Sequence, residues 1–467
     1  MPSGGLCSAQ HLSYCGRQGA EHTAGRRFVT TPSAELIAAG LLGSYAFPGP
    51  MQSEPAPPAR RAANTTTGGI RPVAHAPRAG FELGVNYWPR HTAMYMWREF
   101  DPAVVRDDMA LISDIGFDSV RVFPLAEDFL PRPMTVDPDM IARLAQTVGA
   151  AKDAGLRVVP TIVVLNMSGR IWWPDWMLEP DGRPRDIYSE PLLLSSLALL
   201  ADSCARAFAG DDSIRAFDLA NEIDAAQRPP SREAAAAWVK LLADTVRHAA
   251  PGIPVRIGAH MPSLTSANNM RVDDLASVLD EDVMHTYPLY SDAARSPLDP
   301  ELVPFACALT AGLSGCQRAV LAQEFGLCTA PQGSAGFFID DDFLGAPRSQ
   351  YLASEEEAAA YFDEVLQRLV ATGAAGAYAW CYSDYSPDLF DRPPLASALR
   401  ERTFGLLRPD GSEKPAADVF RRFRAARDAG RITSAEVPGT LDVTADRYYQ
   451  APRDNFERLY RQWLTRT

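Results

Sequence analysis

The chain is predicted to fold as a parallel (β/α)8 barrel, an α/β TIM barrel, and three features of the sequence carry that expectation. Eight short apolar runs rich in β-branched and aromatic residues recur from residue 81 onward. Stretches of helical periodicity separate them. No Gly-rich phosphate loop follows any of the runs, which argues against two successive doubly wound domains. Alternating strands and helices build a parallel sheet with helices on its faces, and eight such units close it into a barrel.

The runs, in order, are FELGVNYW (81–88), FDSVRVF (117–123), LRVVPTIVVL (156–165), IRAFDLA (214–220), PVRIGAH (254–260), EDVMHTY (281–287), RAVLAQEF (318–325) and GAYAWCY (376–382). Their apolar character is nearly continuous, as a strand covered on both faces requires. The first helix is expected over 101–116, opening on Asp101-Pro102 and closing at Gly116. Further helices are expected over 137–155, 188–209, 230–250, 268–279, 299–315, 354–373 and 413–428. Ser354 ahead of three glutamates is an N-cap signature, and Gly155 and Gly373 stand where C-caps belong.

Three regions follow. Residues 1–79 are dominated by Gly, Pro, Ser, Ala and Arg, as in SEPAPPARRAANTTTGG (53–69), and read as a disordered extension. Within them Arg26-Arg27 precede LIAAGLLGSYAF (36–47), an echo of a twin-arginine export leader interrupted by Pro32 and Glu35. A stretch without structural role in a cytoplasmic protein is the preferred reading. Residues 80–430 form the barrel. Residues 431–467 include DNFERLYRQWL (454–464), an amphipathic helix expected to pack on the barrel or on a neighbouring subunit.

The 467 residues are 46% hydrophobic and 22% charged, ordinary for a globular protein. The net charge of -13 argues against nucleic acid or an anionic membrane as partners. No apolar run reaches 18 residues, so no membrane-spanning helix is expected. Seven histidines without an H-E-x-x-H pattern or a Cys/His cluster give no metal site, and no cofactor is expected. Of seven cysteines, Cys7 and Cys15 lie in the extension, while Cys204, Cys307, Cys316, Cys328 and Cys381 are scattered. They read as reduced, buried thiols, with a Cys328–Cys381 bridge open if their strands are neighbours.

In a barrel of this kind the site lies at the C-terminal ends of the strands. The fourth run ends in Asn221-Glu222, the seventh contains Glu324, the second carries Arg121, the sixth ends in His285 and Tyr287, and the eighth carries Trp380. Alone, each has a plain structural reading: a cap, an ion-pair partner, a hydrogen-bonded pair, a core ring. Together they are the equipment of glycosidic bond cleavage. One carboxylic acid, of raised pKa, protonates the leaving oxygen, and a carboxylate about 5 Å away attacks the anomeric carbon in a retaining mechanism. Arg121 is the cation for Glu324, and Tyr287 orients that carboxylate. Asn221 is placed to bond the neighbouring sugar hydroxyl, His285 to orient the acid or a hydroxyl, and Trp380 to form an apolar floor under a sugar ring.

With these residues in place, the region from about 81 to 430 resembles clan A of the glycoside hydrolases, especially family 5. The resemblance implies a retaining (β/α)8 glycosidase with Glu222 as acid/base and Glu324 as nucleophile. It also implies Asn221, Arg121, His285, Tyr287 and Trp380 in support. FGLLRPDGSEKPAADVF (404–420) is similar to the clan's exit from strand eight into the last helix. The family usually has a His at the end of strand three, whereas this chain has Asn166, which donates to a hydroxyl but does not titrate.

At the rim, Asn86, Tyr87 and Trp88 in GVNYWPRH are expected over the mouth, and that opening is similar to family 5 β-mannosidases. IWWPDWM (171–177) offers Trp173 and Trp176 as a sugar platform or lid, and Asp384 as a hydroxyl partner follows Trp380. The segment 327–352 is expected as a long loop whose Asp340-Asp341-Asp342 is a solvated acidic turn rather than a calcium site. The expected substrate is an oligosaccharide or β-glycoside, by exo or endo hydrolysis or by transglycosylation. A non-catalytic sugar-binding barrel would be expected to have lost one glutamate.

Overall fold

The computed structural model describes residues 80–315, 318–343, 346–433 and 443–465. The extension expected over 1–79, with its Arg26-Arg27 motif, and Cys316 lie outside the described residues. Eight parallel strands form one sheet: β1 (Glu82–Asn86), β2 (Ser119–Val122), β3 (Arg157–Val163), β4 (Phe217–Asn221), β5 (Val255–Gly258), β6 (Val283–His285), β7 (Leu321–Phe325) and β8 (Gly376–Ala379). Their order is β5-β4-β3-β2-β1-β8-β7-β6. The ends meet at a parallel bridge between His260 and His285, where the His285 N–H donates to the Ala259 carbonyl at 2.8 Å. The sheet is thereby closed, as the eight-unit reading requires.

Helices α1 (Pro102–Ile115), α2 (Pro138–Asp153), α3 (Pro191–Ala207), α4 (Arg232–Ala249), α5 (Val272–Ala276), α6 (Leu302–Ser314), α7 (Glu355–Ala371) and α8 (Pro415–Asp428) follow the strands in turn. Local chemistry fixes their ends. The Asp101 carboxylate accepts from the Ala103 and Val104 N–H groups, and Gly116 takes the left-handed conformation (φ 104°) that closes α1. Ser354 and Glu357 form a full capping box at α7.

Two elements differ from expectation. The helix expected over 268–279 shrinks to the five residues of α5, with Asn269 left-handed (φ 69°) just before it. The chain's last segment packs beside it, with the Val272 N–H donating to Tyr449 Oη at 3.2 Å. Tyr448 and Tyr449 donate to the Leu264 and Ser263 carbonyls, both at 2.8 Å. In α9 (Pro452–Leu464), Phe456 and Tyr460 pack on Phe305 of α6 at 5.1 and 4.9 Å. Trp463 Nε1 donates to Glu301 at 2.9 Å.

The segment after β7 is an antiparallel hairpin, 337–343 with 346–352, not a loop. Strand alternation exposes Asp340 and buries Asp341, which receives Arg400 Nη1 at 2.7 Å. The acidic triplet is therefore part of a buried ion pair rather than a solvated turn. Cys204, Cys307, Cys328 and Cys381 are buried free thiols, so the bridge left open between the last two is not formed.

Inside the barrel the layers differ in polarity. Near the N-terminal ends, Glu82 accepts from Tyr378 Oη and Arg215 Nε, each at 2.9 Å, and from the Ser119 hydroxyl at 2.5 Å. Above this, Val159, Val283, Leu321 and Tyr378 make a thin apolar layer. Two residues further along those strands the interior becomes polar again, and there the candidate site begins. No helix among the described residues is long and apolar enough to cross a membrane.

Candidate active site

Arg121 organises the floor of the site. Its side chain is fully buried, and a buried charge persists only when paired and hydrogen-bonded. Its Nε donates to Thr161 Oγ1 and Asp218 Oδ2, both at 2.9 Å; Nη2 donates to Asp218 at 2.7 Å and Asn221 Oδ1 at 2.8 Å. Its Nη1 donates to Asn86 Oδ1 at 3.1 Å and to Glu324 Oε1. The guanidinium also lies 4.6 Å from the centre of the Phe123 ring. Tyr287 Oη donates to the other Glu324 oxygen at 2.9 Å. Glu324 is therefore held at both oxygens, one by a cation and one by a phenol, and its orientation is set.

Strand alternation breaks at the end of β4. Successive strand residues point to opposite faces, yet Asn221 and Glu222 both face inward. The β4–β5 register shifts between Asp218 and Asn221, and Glu222 takes a left-handed backbone (φ 43°, ψ 46°). A non-glycine residue in that region costs about 1–3 kcal/mol, and such strain concentrates at functional sites. The Glu222 carboxylate meets His285 Nδ1 at 2.9 Å, Asn166 Nδ2 at 3.0 Å and His260 Nδ1 at 3.4 Å. Asn221 Nδ2 donates to the Asn166 carbonyl at 2.8 Å, so this residue ties the β3 loop to Arg121.

One oxygen of Glu222, one of Glu324 and a ring nitrogen of His285 all lie within 4.8 Å of one another. Two carboxylates and an imidazole could suit a divalent cation, but Glu324 already faces the Arg121 guanidinium, which disfavours a second positive charge there. The electrostatics of Glu222 depart from expectation. Burial would raise its pKa, but the charge of His260 and hydrogen bonds from His260 and His285 outweigh burial and hold it well below the usual carboxylate range. Burial would likewise deprotonate His260; the carboxylates of Asp224 and Glu222 prevail and keep it protonated well above its ordinary range. The electrostatics of this pair thus favour a charged imidazole beside a charged carboxylate.

Several expected residues serve other ends. Asn86 is an inner support, not a rim residue: its amide donates to the Gln323 and Ala379 carbonyls, both at 3.1 Å, and its oxygen is taken by Arg121. Tyr87, next on the strand, therefore faces outward and donates to Asp108 of α1 at 2.9 Å, away from the mouth. Asp384 is consumed by Lys414 Nζ at 2.7 Å and the Gly405 N–H at 2.8 Å, tying β8 to the return segment. Asn166 spends its amide on Glu222.

Aromatic residues gather beside Arg121. Trp88 stacks on Phe123 at 5.4 Å, and Phe123 meets the Trp380 ring edge-on at 5.8 Å. In the Trp-rich loop, Trp172 is core, while Trp173 and Trp176 are half-buried against it. Trp176 Nε1 is spent on the Leu130 carbonyl at 2.8 Å.

Sequence reasoning missed four contributors: Asp218, Phe123, His260 and the Arg400-Glu401 pair. His260 ends the fifth run, where Asn221-Glu222 follow directly on the fourth, and that position was its only signal. Arg400 bonds Asp341 in the hairpin and Tyr290 Oη at 3.0 Å, and Glu401 lies beside it at 3.4 Å. A Cβ on Gly169 would come within 3.1 Å of Ala398 and 3.2 Å of Arg400. The connections after β3, β6, β7 and β8, from opposite parts of the barrel, are thus laced together.

No family model and no curated protein matches the chain. Solved structures do. A GH5_18 protein from Streptomyces cattleya, solved in complex with GlcNAc, aligns with TM-score 0.68 and 22% identity over 82% of this chain and 92% of its own. A GH5_18 protein from Bifidobacterium longum subsp. infantis aligns with TM-score 0.67 and 18% identity, over 83% and 90% of the two chains. An exo-beta-1,4-mannosidase from Opitutaceae bacterium strain TAV5 aligns with TM-score 0.63 and 23% identity, over 75% of this chain and 60% of its own. At these identities the likeness establishes the shared barrel fold.

Proposed function

We propose that the chain is a retaining β-glycosidase of the family 5 type, acting on β-mannoside ends of oligosaccharides. The observation that carries this reading is the pairing of Glu222 and Glu324 within 4.8 Å, with His285 Nδ1 between them at 2.9 Å from Glu222 and 3.4 Å from Glu324. Retaining pairs stand about 5–5.5 Å apart and inverting pairs about 6.5–9.5 Å apart, to admit a water. Glu324, fixed by Arg121 and Tyr287, is the nucleophile. It attacks the anomeric carbon while Glu222, having taken up a proton, gives it to the departing oxygen. Glu222 then removes a proton from water, which cleaves the glycosyl-enzyme ester with net retention.

Two observations support the substrate class. The laced connections join loops from opposite parts of the barrel, which suits a chain end better than a chain interior. The fold is shared with an exo-beta-1,4-mannosidase, and a variant of the Streptomyces cattleya protein is solved in complex with Manb1-4GlcNAc. The test is a panel of aryl β-glycosides with the wild type, Glu222→Ala and Glu324→Ala. β-Mannoside turnover with retention in the anomeric NMR signal is expected. Azide should restore activity to Glu222→Ala, which keeps its nucleophile. Wild-type-like turnover by Glu324→Ala, or an inverted product, refutes the mechanism.

A further inference from the structure

Behind Glu222 stands a second carboxylate that the reaction itself does not use. Asp224 lies two residues along the chain, on the short helical turn after β4, with its side chain only 3% exposed. Its Oδ2 meets His260 Nε2 at 2.9 Å and receives Asn268 Nδ2 at 2.6 Å. His260 presents its other nitrogen, Nδ1, to Glu222 Oε2 at 3.4 Å. The three groups form a line of carboxylate, imidazole and carboxylate running from the barrel wall to the mouth.

The second histidine at Glu222 is held differently. His285 Nδ1 also faces Glu222, but its Nε2 lies 3.1 Å from the Gln323 amide nitrogen, which donates to Asp218 as well. His285 Nε2 thus faces the Gln323 amide, and only its Nδ1 is turned to the carboxylates. His285 therefore orients Glu222 with an amide, not a carboxylate, behind it. His260 has a carboxylate on each side and room for two ring protons.

We propose that His260, anchored by Asp224, is a positioning residue that stores the acid/base proton and exchanges it with Glu222 during each catalytic cycle. The proposal rests on the glycosidase reading of Glu222. In the free protein the pair is an imidazolium beside a carboxylate. When a sugar displaces solvent from the mouth, an ion pair loses its hydration, and the neutral pair gains relative to it. The His260 Nδ1–H bond then breaks as a Glu222 O–H bond forms. Glu222 passes that proton to the leaving oxygen, regains one from water in the second half-reaction and returns it to His260, so the proton count closes. The other titratable groups near this line are His285 on β6, Glu324 on β7 and Tyr188 ahead of α3, whose phenol Asp224 pushes further upward after burial.

The pair carries one proton in its working state, so the alkaline limb of activity reports the loss of that proton from the pair as a whole. Two measurements test this. In the first, kcat/KM for an aryl β-mannoside is followed from pH 4 to 10 in the wild type, His260→Asn and Asp224→Asn. Both variants are expected to lose activity on the alkaline side at a pH about one unit or more below the wild type. A fall in activity that is uniform across pH, with the limb in place, means that His260 only packs, and it overturns the proposal. In the second, imidazole nitrogen NMR signals are followed through pH without substrate. His260 is expected to be an imidazolium at pH 7.5 in the wild type and neutral there in Asp224→Asn. A neutral His260 in the wild type also overturns the proposal, whether or not the variants fold. Absence of wild-type turnover on every glycoside would instead count against the glycosidase reading, and the NMR result would still decide where the proton resides.

Discussion

Removing the Arg121 charge should cost more stability than any other single change in the site. Arg121→Met keeps an apolar stem of similar length but strands two carboxylates, Asp218 and Glu324, which are 0% and 6% exposed at their side chains. Breaking a buried pair by deleting one partner costs about 3–5 kcal/mol, because the remaining charge is left without compensation. Asp218→Asn is milder, since Arg121 keeps Glu324 and its neutral acceptors; a loss of about 2 kcal/mol is expected from weakened charge-assisted bonds. In the double variant Asp218 is no longer a stranded charge. Its total should be near 4 kcal/mol, about 2 kcal/mol less than the sum of the singles. Reversible urea unfolding at pH 7, followed by fluorescence of the eight tryptophans, measures all four corners of this cycle. Additivity within about 0.5 kcal/mol would mean that Asp218 and Arg121 do not depend on each other, and it would refute a floor organised around Arg121.

Three further outcomes are expected. Tyr287→Phe removes one hydrogen bond to Glu324 and should lower kcat about 10- to 100-fold with KM little changed; a rise in KM alone would place Tyr287 in substrate binding instead. Gly326→Ala would put a Cβ 2.2 Å from the Trp380 carbonyl, so the backbone after β7 or β8 must move. A loss of about 1–3 kcal/mol in urea unfolding, with reduced turnover, is expected. At the barrel floor, burial works to raise the pKa of Glu82, but Arg215, Arg157 and the Ser119 hydroxyl outweigh it and bring it from 4.5 down to about 2. A depressed acid stabilises the fold above its unfolded value, and that stability is lost as pH falls from about 4.5 to about 2, here about 3 kcal/mol. In Glu82→Gln the wild-type loss across that window should shrink by this amount, and an unchanged pH profile would exclude the coupling.

The sequence located the eight strands because a strand covered on both faces must be apolar almost throughout. That same continuity hides which side chains face inward. Arg121, Glu222 and Glu324 could be placed at the mouth from strand order alone. Asn86 and Tyr87 could not be told apart, since a one-residue change of phase exchanges the barrel interior for the helix layer. The register shift before Asn221 and the left-handed Glu222 reverse simple alternation at the residues where it would have been most useful. His260 and Asp218 were invisible for another reason. Their roles depend on partners from other strands, and nothing local to IGAH or AFDLA specifies Asp224 or Arg121 as those partners. Asp384 was misread because Lys414, its partner, lies 30 residues away on the return from β8.

The C-terminal segment ties the middle of the barrel to residues made much later. Tyr460 reaches Asp299 across 161 positions, and Tyr448 reaches Leu264 across 184. A ribosome adding about 5–20 residues per second leaves the fifth unit without this cover for roughly 8–40 s. During synthesis that flank of the barrel, with Phe305 on it, awaits cover from its own chain.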